Sequence, residues 1–245
     1  MPKSVRLFVQ SDLQQASDVS LSPDQSHYLG RVMRLTVGDQ VRLFNGRDGE
    51  WLAELKDIGK RSATALIQEQ TRPQSEDRAN ETGPWLAFAP IKKTGTDFIV
   101  EKATELGVAR MLPVLTANTQ TDRVNLDRFQ ANATEAAEQC ERLSVPQIDL
   151  AMDLAGLIEK WSPDRQLLFL DENGGEQPIA DAIAAVGGPV GFLVGPEGGF
   201  RAEEADRLRR QSFVTSVGLG RRIVRAETAC LSALSAWQAL AGDWR

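Results

Sequence analysis

The sequence predicts an α/β protein in two parts: a small antiparallel β-barrel or meander first, then a mostly parallel sheet covered by helices. Three observations predict it. Up to about Gln70 the apolar residues alternate in short runs broken by Asn, Asp and Gly, as half-buried strands joined by turns do. Beyond Trp85, strand-length runs that are apolar on both faces take turns with helix-length segments, the mark of a parallel sheet buried on both sides. Between them, residues 71 to 84 are polar and carry Pro73 and Pro84, a linker composition. The expected division is therefore 1–72, a linker at 73–84, and 85–245.

In the first part the strands are Val5 to Val9, Gln40 to Phe44, Glu50 to Leu55 and Ala63 to Ile67, with turn chemistry at Asn45-Gly46-Arg47-Asp48-Gly49 and Asp57-Ile58-Gly59-Lys60. One helix interrupts them. Ser22-Pro23-Asp24-Gln25 is a capping box with proline at the first helical position, and an amphipathic stretch follows to about Leu35. Helical spacing puts Leu29, Val32 and Met33 on its inner face and His27, Arg31 and Arg34 together on the outer one. In the second part a strand at Trp85 to Ala89 leads to a helix from about Gly95 to Leu106, stopped at Gly107, and a strand at Arg110 to Leu115. A longer helix, Asp127 to Leu143, aligns Phe129, Ala133, Ala136, Ala137 and Cys140 and ends before Pro146. Strands at Gln166 to Leu170, Val190 to Val194 and Phe213 to Val217 then alternate with helices at Ile179 to Val186, Arg201 to Gln211 and Glu227 to Ala241.

Composition narrows the function classes. At 245 residues, with 42% hydrophobic and 25% charged residues, the chain can bury a sizeable core and is neither fibrous nor disordered. Cys140 and Cys230 stand far apart and His27 is the sole histidine, so neither a metal site nor a disulfide framework is expected. No apolar run approaches the roughly eighteen residues a membrane helix needs, and the start lacks a signal-peptide pattern, so a cytoplasmic protein is expected. The net charge of −6 argues against indiscriminate nucleic-acid binding. It is unevenly spread: residues 1–75 hold ten Lys or Arg against nine Asp or Glu, and the remainder hold eighteen against twenty-five. Any RNA contact must come from a local patch.

Ligands of open parallel sheets bind beyond the carboxyl ends of the strands. The segments following Leu170, Val194 and Val217 are all glycine-rich: Asp171-Glu172-Asn173-Gly174-Gly175, Gly195-Pro196-Glu197-Gly198-Gly199-Phe200, and Gly218-Leu219-Gly220-Arg221-Arg222-Ile223-Val224-Arg225. Each could be a plain turn, but three at one sheet edge point to a ligand that needs close backbone approach. No Walker loop or dinucleotide fingerprint is present, which disfavours ATP and NAD, and a lone His27 in the other part disfavours Ser-His-Asp chemistry.

These residues carry a resemblance. His27, Val32-Met33-Arg34 and Gly38-Asp39, then Lys102-Ala103-Thr104-Glu105-Leu106-Gly107-Val108, Glu135-Ala136 with Glu138-Gln139 and Arg142, Val194 to Phe200, and Leu219 to Ala229 are similar, in this order, to the uridine-N3 methyltransferases of small-subunit (16S) ribosomal RNA, in the knotted SPOUT class. The resemblance implies a PUA-like N-terminal barrel that holds RNA, a C-terminal α/β domain threaded through a trefoil knot, and a homodimer. It implies S-adenosylmethionine as cofactor, held around Leu170 and Glu172, by Val194, Gly195, Glu197, Gly198 and Gly199, and by Leu219, Gly220, Ile223 and Val224. The partner would be 16S ribosomal RNA or the assembled small subunit, with no metal and no membrane. Asn118 and Gln120 depart from the pattern where the family often has arginine, as do Cys140 for serine and Val224 for leucine.

Methylating uridine N3 requires the imide anion to be favoured, by a general base or by cationic donors at O2 and O4. The candidate cation is Arg225, with Arg221 and Arg222 behind it; the alternative is that these arginines cap a helix or pair with Glu203 and Glu204. Glu197 either accepts from cofactor or ribose, or ties its own turn. Glu227 reads as a helix-start carboxylate. For RNA the candidates are His27, Arg31 and Arg34 with Lys92 and Lys93; Arg142 could meet a phosphate or hold a structural pair. Rival readings are a related knotted enzyme acting on a ribose 2′-hydroxyl or on transfer RNA, and a non-catalytic RNA-binding or assembly factor.

Overall fold

The computed structural model of the chain describes residues 5–77, 82–121, 124–172 and 177–244, with the side chain of Lys93 outside that set. The expected linker therefore falls partly outside the described residues, at 78–81, as does Asn173-Gly174-Gly175. The chain forms two compact units: residues 1–78 together with 137–145, and residues 79–136 together with 146–245.

The first unit is built on a five-stranded sheet of β1 (Arg6–Phe8), β2 (Asp18–Leu21), β3 (Gln40–Phe44), β4 (Glu50–Ile58) and β5 (Ala63–Arg72), in the order β1-β3-β4-β5-β2. All neighbours are antiparallel except β1 and β3, which are parallel. Register shifts along β4 and β5 are the sort that bend a sheet around its contents. The concave side is filled by Leu7, Val19, Leu21, Leu29, Val41, Leu43, Leu55 and Ile67.

Beneath this core lies a buried charge pair. The Arg6 Nε donates to Glu50 Oε2, and its two terminal nitrogens donate to the carbonyls of Ala137, at 2.7 Å, and Arg142. Its guanidinium carbon also stacks 3.7 Å from the centroid of the Phe44 ring. Glu50 accepts further from Thr71 Oγ1 at 3.0 Å. Burial pushes the Glu50 carboxyl up, but Arg6, Thr71 and Arg42 outweigh it and hold the group below its ordinary value.

The helix of the first unit is shorter than expected. The α-helix α1 (Pro23–His27) carries the capping box on Ser22 and Gln25, then gives way to a π-turn, Tyr28–Val32, closed by Met33 N–H donating to Tyr28 O at 2.9 Å. Arg34 then leaves in the left-handed region at φ +58°. An i→i+5 turn rotates side chains off the 3.6-residue register. Leu29 alone of the three expected inner residues is buried, while Val32 is 59% and Met33 40% exposed. The same shift separates Arg34 from His27 and Arg31.

The second unit holds β6 (Trp85–Phe88), β7 (Arg110–Leu115), β8 (Gln147–Ile148), β9 (Met152–Asp153), β10 (Gln166–Leu170), β11 (Gln177–Pro178), β12 (Val190–Val194) and β13 (Val214–Gly218). Every ladder is parallel, in the order β11-β13-β10-β12-β6-β7-β8, with β9 also on β7. Helices α2 (Lys93–Glu105), α3 (Leu126–Gln139), α4 (Leu154–Lys160), α5 (Ile179–Ala185), α6 (Ala202–Arg209) and α7 (Ala226–Leu240) connect them. Gly107, at φ +78°, ends α2 where the sequence places a stop. By contrast α3 ends at Gln139, four residues before the expected Leu143. Glu141 turns left-handed, at φ +64°, and the segment beyond joins the first unit, where Arg72 donates to Glu141 O at 2.7 Å and Leu143 N–H donates to Asp77. Among the described residues no helix is long and apolar enough to cross a membrane.

Candidate functional site

β13, β10 and β12 are consecutive neighbours in the sheet and run the same way, so the segments that follow Leu170, Val194 and Gly218 emerge side by side. Together they enclose a cavity of about 290 Å³, near the lower end of the roughly 300–1,000 Å³ of small-molecule sites. Leu170, Asp171 and Glu172 line it from the first segment, Val194 to Glu197 with Gly199 and Phe200 from the second, and Gly218 to Ala226 from the third. Ten of the eleven sequence-derived cofactor positions face this cavity, along with Arg225. Gly198 does not.

The glycines of the second segment do a different job from the expected one. A Cβ on Gly195 would lie 2.6 Å from the Phe200 ring, and one on Gly199, whose φ is +63°, would lie 1.7 Å from Glu172 Oε1. The space is therefore taken by the chain's own side chains. Phe200 packs edge-on against Phe169 at 5.0 Å between ring centroids, which anchors the turn to β10. Gly220, at φ +95°, is open, with nothing within 4 Å of its Cβ position.

The turn is braced from outside by a residue that sequence reasoning treated as a missing arginine. Asn118 Nδ2 donates to Gly198 O at 2.9 Å and to Gly199 O at 3.1 Å. Its neighbour Ala117 donates its N–H to Glu204 Oε1 at 2.9 Å, and the second oxygen of Glu204 accepts from Arg201 N–H at the start of α6. The loop after β7 thus holds the glycine turn through both carbonyls. A short polar residue following a strand end was the only signal available.

Asp171 is the other residue that sequence reasoning passed over. It is buried at the carboxyl end of β10 and bonded to Arg209 of α6, and this pairing holds the Arg209 guanidinium above its usual value. Its charge is neutralised within the wall, leaving Glu172 and Glu197 as the exposed carboxylates of the cavity.

The third segment is cationic. Arg221, Arg222 and Arg225 are exposed, and none of their side chains forms a hydrogen bond or ion pair with another described residue. Arg225 occupies the N-cap position of α7 without a side-chain cap bond. Glu203 and Glu204 are not their partners. Glu197 likewise makes no hydrogen bond to its turn. Ile223, between the arginines, is 84% exposed at the rim of the cavity. Glu227 lies in the first turn of α7, and Cys230, one turn on, is fully buried, its thiol pushed up by that burial and by Glu227.

The expected RNA residues separate. His27 and Arg31 line a second groove, in the first unit, whereas Arg34 lies beyond the π-turn and off it. Lys92 is exposed at the start of α2, and the Lys93 side chain lies outside the described set. Arg142 is corrected outright: it is 7% exposed, with its Nε 3.4 Å from Ser144 Oγ, so burial removes its guanidinium from any phosphate. Among the described residues no cluster of His, Cys, Asp and Glu could hold a metal ion.

Residues 80–238 match the family described as RNA methyltransferase domain, and residues 21–68 that described as RNA methyltransferase PUA domain. The ribosomal RNA small subunit methyltransferase E of Rickettsia conorii is 34% identical over 94% of this chain and 93% of its own. The Bacillus subtilis protein of the same name is 29% identical over 91% of each. A crystal structure of the Neisseria gonorrhoeae ribosomal RNA small subunit methyltransferase E, bound to S-adenosyl methionine, aligns with a TM-score of 0.87 at 27% identity, over 99% of this chain and all of that one.

Proposed function

Since the chain belongs to the ribosomal RNA small subunit methyltransferase E family, we propose that it transfers a methyl group from S-adenosylmethionine to N3 of a uridine in 16S ribosomal RNA. The observation that carries this is the cavity at the carboxyl ends of three adjacent parallel strands, in a chain that aligns end to end with a relative solved with S-adenosyl methionine.

The residues present fit that cofactor. Leu170, Val194, Leu219 and Val224 offer an apolar wall suited to an adenine ring, Glu172 and Glu197 offer negative charge to a sulfonium, and the open backbone at Gly220 admits close approach. Bound there, S-adenosylmethionine supplies an electrophilic methyl. The chain's own groups act on the uridine. Its N3 imide keeps its proton at neutral pH, and the charge that develops as the proton leaves spreads onto O2 and O4. Arg225 stabilises that charge, with Arg221 and Arg222 adding positive potential, and its freedom from any carboxylate partner leaves its donors available. Glu197, exposed and unbonded in the same cavity, accepts the N3 proton. The walls fix the two reactants in line.

Residues 1–78 with 137–145, rather than 1–72 alone, serve as the PUA-like RNA-holding part, and 79–136 with 146–245 serve as the knotted catalytic part, so that the stretch expected as a linker at 73–84 is divided between them. The active form is a cytoplasmic homodimer, for which the exposed Ile223 at the cavity rim supplies an apolar contact, since so exposed an isoleucine gains from a cover. The test is to incubate the protein and S-adenosylmethionine with small ribosomal subunits lacking the modification, then digest the RNA to nucleosides. 3-Methyluridine is expected. A 2′-O-methylated nucleoside, or no product alongside a lack of cofactor binding, overturns the assignment.

A further inference from the structure

We propose that the groove between the π-turn and the β4–β5 hairpin takes one unpaired nucleotide, so that the first unit selects single-stranded over duplex RNA. The proposal rests on the assignment of the chain as an RNA methyltransferase and deepens it by naming the form of RNA it grips.

The groove has a volume of about 580 Å³ and lies wholly within the first unit. His27, Arg31 and Lys60 line it together with Leu35 and Ile58, and no carboxylate does. None of the three basic side chains has an ion-pair partner among the described residues. The two sides are tied by Ser26 Oγ, which donates to Gly59 O at 2.8 Å. The groove is thus a held shape.

Its chemistry is mixed in a way that one class of ligand matches. A free phosphate would use the cations and leave Leu35 and Ile58 wet. An apolar peptide would leave three donors without acceptors. A nucleotide carries a phosphate and a flat apolar face on one small unit, and an unpaired one exposes that face, whereas a duplex keeps it stacked inside. The surroundings extend the match, because Tyr28, Val32, Met33 and Val37 are exposed beside the groove and interleave with Arg31 and Arg34. The π-turn produces this arrangement by turning Val32 and Met33 outward. Gly30 keeps the groove open: its Cβ position lies 3.4 Å from Ile58 Cδ1, so any larger side chain there would fill the gap.

The test uses the full-length protein and fluorescence anisotropy with two labelled probes, a single-stranded oligonucleotide and a blunt RNA duplex of equal length. The wild type is expected to favour the single strand by roughly tenfold, in line with the stacking of one base. Gly30→Val, which blocks the groove and keeps every charge, and Tyr28→Ala should each bring single-strand binding down to the duplex level and leave duplex binding within twofold. Arg31→Ala with Lys60→Ala should weaken both probes and lower the single-strand salt slope by about 0.7, the share of one phosphate. A folded Gly30→Val protein that binds the single strand as the wild type does overturns the proposal, as does a wild type with no preference. Methylation of small subunits by the wild type, run in parallel, separates this failure from failure of the enzymatic assignment: product with an unaltered Gly30→Val protein sinks only the subsite.

Discussion

Asn118→Ala tests whether the glycine turn of the cavity depends on its outer brace. The variant removes two hydrogen bonds, at 2.9 and 3.1 Å, that hold the carbonyls of Gly198 and Gly199. A typical hydrogen bond contributes about 0.5–1.5 kcal/mol net, so the pair contributes about 1–3 kcal/mol. Because Asn118 is only half-buried, water can replace part of this, and the lower end, about 1.4 kcal/mol, is the expected loss in turn order. If that order is restored when S-adenosylmethionine binds, affinity falls by about tenfold. Isothermal calorimetry reads it directly. Asn118→Asp should fall further, because a carboxylate would then face two carbonyl oxygens. Turnover at saturating cofactor should change far less than KM, since Asn118 touches no reacting atom. Cofactor affinities within twofold of wild type in both variants would refute the idea that the brace holds the site.

Other outcomes follow from the same geometry. Gly199→Ala should weaken cofactor binding more than Gly220→Ala, because both are strained in φ but the Cβ at 199 would also push the Glu172 carboxylate out of its place in the cavity, whereas that at 220 faces open space; calorimetry compares the two. Arg225→Ala should lower turnover by about 100-fold while leaving cofactor affinity within a few-fold, and a wild-type rate would remove Arg225 from the chemistry. Arg6→Ala should destabilise the protein by about 3–5 kcal/mol in urea melts, because it strands the buried Glu50 charge. Glu50 titrates below its ordinary value in the folded state, so its contribution is complete above the unfolded-state pKa and is lost as pH falls through the folded one. Melts of Glu50→Gln should therefore show less stability than wild type at neutral pH and a flatter decline in acid.

The strands around the site were legible because burial on both faces leaves an uninterrupted apolar run, as in Gln166–Leu170 and Val190–Val194, and the loops that follow them were legible because glycine and proline punctuate so strongly. β2, with Val19 and Leu21 as its only apolar residues, had too short a pattern to register. The π-turn was invisible for another reason: Ser22 to Leu35 satisfies the α-helical period, and a turn of i→i+5 bonding changes which residues face inward without changing composition. The end of α3 and the burial of Arg142 were set by hydrogen bonds to Arg72 and Asp77, some 65 residues away in sequence, which no local pattern encodes. Asn118 belongs with these, since its partners lie 80 positions along the chain.

The return of residues 137–145 to the first unit has a consequence for genetic separability. Cutting the gene in the polar stretch after Arg72 would seem to release an autonomous RNA-holding module. The fragment so made would lack the carbonyls of Ala137 and Arg142 that satisfy Arg6, along with the backbone that Arg72 and Asp77 hold. A guanidinium would be left in the interior short of two acceptors. Shuffling of such modules between proteins is therefore blocked here by the weaving of one chain through both halves, and the pair must be inherited together.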